Sequence, residues 1–329
     1  MGRPPPLPDT NSEIQMTRGT VSYIGQRLVL IAITTVLVSS IVFILLHQIP
    51  GSAFVNETRQ TQESLNASLR HYGLDKPLYQ QYTSWFGGVL QGNLGESLKN
   101  RGVFITPLLL REASVSAVVG FYAILVTIGL GLLLGVIAAL RQNSWVDYAA
   151  SSAAVIGYSI PSFVLAIFGL LLAGHYFFLW TGGTFYYVPG WGKPEQIPVP
   201  ALALGLPYAS YVARLTRASM LETIRTDYVR TAWAKGLKAR VVVLRHALRN
   251  ALIPVITILG PLTTGIITGS IVIENIFGIP GLGKEFVTSI LARDYNIVIG
   301  VFTFYAALVG LANLAVDVVY PILDPRIRY

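Results

Sequence analysis

Six stretches of this chain contain no Asp, Glu, Lys or Arg: residues 28–46, 113–140, 148–174, 197–213, 251–273 and 297–316, which are 19, 28, 27, 17, 23 and 20 residues long. The hydrocarbon core of a bilayer takes about 20 apolar residues of helix to cross. Backbone groups in lipid have no water to bond, so each stretch must pair its own N–H and C=O groups. The pattern predicts an all-α integral membrane protein with six transmembrane helices. The fourth stretch is the shortest and holds Pro198, Pro200 and Pro207. The first two prolines fall at its mouth, and Pro207 is a candidate kink. Composition agrees, with 12% charged residues and 53% hydrophobic ones, where a soluble domain has about 25% charged.

The net charge of +8 marks orientation in such a chain rather than a nucleic-acid surface, because Lys and Arg collect on the cytoplasmic side. With a cytoplasmic N-terminus, fifteen basic residues fall inside and nine outside, and six of those nine lie in the long segment 47–112, where the rule is weak. Both termini are therefore expected in the cytoplasm. Residues 1–22, with the run Pro4-Pro5-Pro6-Leu7-Pro8, read as a disordered cytoplasmic tail, and 23–329 as the transmembrane domain. Segment 47–112, punctuated by Tyr72, Tyr79, Tyr82, Trp85 and Phe86, reads either as a small docked module or as a partly ordered loop. The absence of cysteine excludes disulfides and thiolate metal sites. The four histidines are far apart in sequence, and no close ligand pair suggests a metal.

Segment 214–250 is the informative connection. Met220, Ile224, Tyr228 and Ala232 recur every four residues, flanked by Leu221, Val229 and Trp233, which predicts an amphipathic helix over 220–237. Gly236 sits where a glycine commonly ends such a helix. Its apolar face has to be covered by the bilayer, by the protein's own helices or by a groove in a partner.

The stretch Asp227-Tyr228-Val229-Arg230-Thr231-Ala232-Trp233-Ala234-Lys235-Gly236-Leu237 resembles the coupling signature of binding-protein-dependent ABC importer permeases. That signature reads Glu-Ala-Ala, three residues, then Gly; here only Ala232 and Gly236 match it. The departure resembles the dipeptide/oligopeptide branch, where the charge sits earlier, as in Asp227-Tyr228. His47-Gln48-Ile49-Pro50-Gly51, Tyr72-Gly73-Leu74-Asp75-Lys76-Pro77-Leu78, Gly92-Asn93-Leu94-Gly95-Glu96-Ser97, Pro280-Gly281-Leu282-Gly283 and the C-terminal Leu323-Asp324-Pro325-Arg326-Ile327-Arg328-Tyr329 fit that branch as well. The resemblance implies a type I importer permease in a prokaryotic plasma membrane. It would be surrounded by lipid and paired with a second homologous permease subunit. Two ATP-binding subunits carrying ATP and Mg, and an external solute-binding protein, would complete the complex. It further implies that residues 227–237 dock on an ATPase, with Tyr228, Val229 and Trp233 as the buried contact, and that short peptides are the cargo, with nickel complexes or oligosaccharides as alternatives.

Other signals carry less. Gly278-Ile279-Pro280-Gly281-Leu282-Gly283-Lys284 follows a phosphate loop for seven positions, then has Glu285 where the magnesium ligand belongs. It reads as a tight turn, so the chain has no ATPase site, no cofactor and no catalytic residues of its own. Glu274, Asn313 and Asp317 are the polar residues near span ends that qualify as pathway candidates, with a structural role, such as pairing to a basic neighbour, as the competing reading. A stand-alone secondary transporter would show inverted repeats or charge at mid-span, and an intramembrane enzyme would need a catalytic constellation inside the spans. The sequence offers neither.

Overall fold

The computed structural model describes residues 10–49, 62–183 and 186–323. The chain is helical nearly throughout. Helix α1 runs Thr10–Gln48, α2 Gln62–His71, α3 Leu78–Leu90, α4 Ile105–Leu140, α5 Trp145–Ser159 and α6 Ser162–Leu171. A π-helical turn, Leu172–Tyr176, leads into α7 (Phe177–Trp180), and α8 covers Pro198–Ile224. Then come α9 (Asp227–Ala234), α10 (Ala239–Val241), a second π-helical turn (Val242–Ala247), α11 (Leu248–Ala251), α12 (Ile253–Phe277), α13 (Leu282–Ala292) and α14 (Tyr295–Leu323). Four of the described helices are long and apolar enough to cross a membrane, or five if the bent pair Ala239–Ala251 and Ile253–Ile267 counts as one span.

Several boundaries differ from the charge-free runs. The tail expected to be disordered through residue 22 is helical from Thr10, whereas the proline run at 4–8 lies outside the described residues. Helix α4 starts eight residues before the uncharged run, taking in Arg111 and Glu112, because a helix near the interface tolerates charge that a hydropathy window does not. The third run is not one helix. Ile160 takes an extended conformation (φ −85°, ψ 124°) between α5 and α6, as a residue before proline does, here Pro161. The 50° bend between Ala239–Ala251 and Ile253–Ile267 falls at Pro254, which has no N–H to give. Pro207 lies inside α8.

Helices α4 and α8 form the spine. Built onto Gly135, a Cβ would lie 2.6 Å from the Ala213 carbonyl oxygen; onto Gly131, 2.9 Å from that of Ala209; onto Gly205, 2.6 Å from that of Ala123. Thr127 Oγ1 also donates to the Gly205 carbonyl at 3.1 Å. Lipid supplies no hydrophobic drive between helices, so close backbone approach and hydrogen bonds hold such a seam. Around it a core of Val119, Ala123, Ala166, Leu204, Ile266 and Phe277 joins α4, α6, α8 and α12.

One end of the bundle carries α2, α3 and α13, and residues 62–112 are docked there. Asp294, almost fully buried, accepts the backbone N–H groups of Leu98 (3.1 Å) and Lys99 (3.2 Å) and the Ser97 hydroxyl. Its Oδ1 also accepts from the Ile297 N–H at 3.3 Å, capping α14. Leu94, Ile105, Leu282 and Ile297 form a second core beneath it. Of the two readings for this segment, its described residues follow the docked module. The opposite end carries α9, over a third core of Ala139, Met220, Ala247 and Ala251.

Candidate coupling helix and polar span-end residues

The periodic stretch 220–237 is two helices. Met220 and Ile224 belong to the end of α8, and the chain then turns at Arg225 and Thr226 before α9. Thr226 enters α9 with an extended backbone (φ −72°, ψ 151°), and its hydroxyl donates back to the Thr223 carbonyl at 2.6 Å. The far end closes as a Schellman motif. The Gly236 N–H bonds the Trp233 carbonyl (2.9 Å) and the Leu237 N–H bonds that of Ala232 (3.4 Å). Gly236 sits at φ +72° with nothing within 4 Å of where a Cβ would be. The turn therefore favours glycine for its backbone, and the space beside it is open.

Position on α9 sorts the candidate residues. Val229 and Ala232 are buried against Val242 of the π-helical turn. Tyr228, Trp233 and Leu237 are 43%, 47% and 37% exposed. Tyr228 is tethered at its tip, where its hydroxyl accepts from Asn250 Nδ2 at 2.7 Å. Val229, expected on the docking contact, instead seats α9 on its own chain. Of the three side chains expected at that contact, Tyr228 and Trp233 are the exposed ones. The remaining positions, Asp227, Arg230, Thr231, Ala234 and Lys235, face outward. Asp227 and Arg230 approach to 3.6 Å with both side chains exposed, a geometry that contributes little to stability.

Beside this end lies a pair that sequence reasoning missed. Arg217 on α8 grips Asp147 at the start of α5 through two bonds, Nε to Oδ1 at 2.6 Å and Nη2 to Oδ2 at 2.7 Å. The Asn143 N–H adds a 3.0 Å bond to Oδ2. The forked hydrogen bonds from Arg217 give the buried Asp147 carboxylate a charged, bidentate partner. Ser144 as N-cap and Asp147 in the first turn of α5 signalled the helix start, but nothing in the sequence paired Asp147 with a residue 70 positions on.

The three pathway candidates are dispersed. Glu274 is fully buried at the end of α12, and its Oε2 accepts the Gly283 N–H at 2.7 Å. The turn 278–283 wraps this carboxylate. Gly278 ends α12 at φ +68°, and a Cβ on Gly281 would come within 2.5 Å of Glu274 Oε2. The phosphate-loop-like glycines thus serve a carboxylate of the same chain. Asn313 Oδ1 accepts from Thr264 Oγ1 at 3.0 Å, joining α14 to α12. Asp317 pairs with Arg27 at 2.7 Å and accepts from the Tyr23 hydroxyl at 3.1 Å, joining α14 to α1. Each holds two helices together.

This architecture has known counterparts. The family model described as "Binding-protein-dependent transport system inner membrane component" matches residues 131–329, and that of its N-terminal region matches residues 20–107. The chain belongs to this family. It is a multi-pass inner-membrane permease component. Among curated relatives, the dipeptide transport system permease protein DppB of Bacillus subtilis (strain 168) is 42% identical over 93% of this chain and 97% of that protein. The oligopeptide transport system permease protein OppB of Escherichia coli (strain K12) is 38% identical over 90% of this chain and 95% of its own length. Among solved structures, an inward-facing MetNI methionine ABC transporter gives a TM-score of 0.52 at 19% identity, covering 67% of this chain and 98% of that one. That likeness speaks for a type I permease fold alone.

Proposed function

We propose that this permease forms half of the translocation pathway of an ABC importer for short peptides. In this reading α9 couples it to one of two ATP-hydrolysing partners. The relatives named for dipeptide and oligopeptide transport, aligned over nearly the whole chain, carry the cargo assignment. The exposed pair Tyr228 and Trp233, on a helix whose other face is already used, supports the coupling assignment. The chain crosses the membrane six times, with α5 and α6 together as the third span and α8 as the fourth. Both termini and α9 are cytoplasmic. A second permease subunit completes the pathway, ATP and Mg stay in the partners, and an external binding protein delivers the peptide.

Function follows as a two-state device. ATP closes the partner ATPases, they drag the docked α9, and the bundle shifts between inward-open and outward-open forms. Glu274, Asn313 and Asp317 act as helix fasteners within it rather than as peptide ligands. The Gly236→Asp variant tests the coupling. Aspartate is one of the few residues that visit the left-handed region, and its Cβ would meet no atom within 4 Å. It is expected to reach the membrane folded, with uptake of labelled dipeptide reduced at least about tenfold. Wild-type uptake by this variant rejects the coupling role. Co-purification of the tagged chain with a second permease and ATPases tests the assembly, and a homo-oligomer without ATPase rejects it.

A further inference from the structure

Helices α1 and α14 pack against each other along much of their length. Gly310 lies so close to Ile31 that a Cβ there would come within 2.8 Å of its side chain. The Arg27–Asp317 pair forms another fixed contact, about one turn from Ile31 on α1 and two from Gly310 on α14. Beside these contacts lies a cavity of about 550 Å³, walled also by Ile271 of α12 and Phe286 of α13. The helices cannot slide together to close it, because Gly310 has no side chain left to give up.

The cavity follows α1 from Arg27 to Val38 and α14 from Phe302 to Leu314. At 1.5 Å per residue that is about 17 Å, close to the depth of one leaflet, about 15 Å. Its wall is almost wholly apolar. Two of its few polar side chains are already used, Thr34 donating to the Leu30 carbonyl (2.8 Å) and Asn313 accepting from Thr264 (3.0 Å). Such a wall offers water few polar partners, the Tyr305 hydroxyl and Arg27 among them, and an empty slot forfeits dispersion contacts along its length. At this depth the surrounding solvent is acyl chain.

The mouth has both signs of charge. Arg27 is 42% exposed on its side chain, stacked at 5.3 Å on the Tyr23 ring and paired with Asp317. Guanidinium groups match phosphate geometry, and the neighbouring carboxylate suits an ammonium. We infer that the α1–α14 slot binds one zwitterionic phospholipid of the leaflet at the α9 end, its acyl chain in the cavity, its phosphate on Arg27 and its ethanolamine ammonium on Asp317.

A photoreactive benzoylphenylalanine at Val309, which lines the slot, tests this without filling the cavity with a charge or cutting the fasteners. The full complex is reconstituted in vesicles of phosphatidylethanolamine and phosphatidylglycerol and irradiated, and adducts are identified by mass spectrometry. A phosphatidylethanolamine adduct enriched at least about threefold over its share of the vesicle lipid is the expected result. Adducts in proportion to vesicle composition, a cross-link to a second polypeptide, or no lipid adduct overturns the inference. In the same experiment Arg27→Gln should lower the phosphatidylethanolamine yield at least about threefold without dissociating the complex, and an unchanged yield also overturns it. None of these readouts depends on the cargo or on α9.

Discussion

The α4–α8 seam and the helix α9 are built from opposite materials. Along the seam, Gly131, Gly135 and Gly205 bring backbone against backbone, and each close approach is answered within the chain. On α9 one face is answered by Val242, while Tyr228 and Trp233 stand about half exposed. Small residues serve where two helices must fit with no drive from water. Large aromatics serve where a joint is completed by another surface, since buried rings dominate interface energetics. The same contrast holds for charge. Asp147 is buried and doubly bonded by Arg217, whereas Asp227 and Arg230 merely approach one another in solvent. Under the proposed coupling, a region finished within the chain and a region left for a partner to finish differ in what their side chains lack.

The largest break in that contrast should come from the seam. Gly135→Leu drives a side chain into the Ala213 carbonyl and Thr216, an overpacking that should cost about 3 kcal/mol. It would be seen as a large fall in the thermal midpoint of the detergent-solubilised chain. An unchanged midpoint would mean the helices are not in close contact. Trp233→Ala should do the reverse, leaving the isolated chain's midpoint in place while weakening its hold on the ATPase by about 2 kcal/mol, roughly thirtyfold. Binding of the purified ATPase to the permease reads this directly.

A smaller effect is expected at the α5–α8 pair. Asp147→Asn should cost about 1.5 kcal/mol at neutral pH. An unchanged thermal midpoint would refute the pairing as a source of stability. The smallest effect is predicted for Asp227→Asn, whose thermal midpoint should match wild type because its side chain is almost wholly in solvent.

Much of this was legible from the chain alone. A charge-free run of 28 residues has no alternative in lipid to a helix, so α4 was readable to within eight residues of its start. The break before Pro161 was readable in principle from the restriction on Ile160, yet an unbroken apolar run concealed it. Periodicity revealed an amphipathic character around Tyr228, but it counts spacing rather than cover, so it merged the end of α8 with α9 and left open that Val229 is covered by Val242 of the same chain.

What the sequence determined by itself was therefore the class of solvent and the family. Both depend on residue type and local order, which lipid and backbone chemistry read directly. Tertiary structure decided which polar groups meet. Asp147 with Arg217, Asp294 with the 97–99 loop, and Asp317 with Arg27 are joined across 70, about 196 and 290 residues of chain. No local pattern encodes such pairs, because their energy exists only once packing has brought the helices together and removed the water between them.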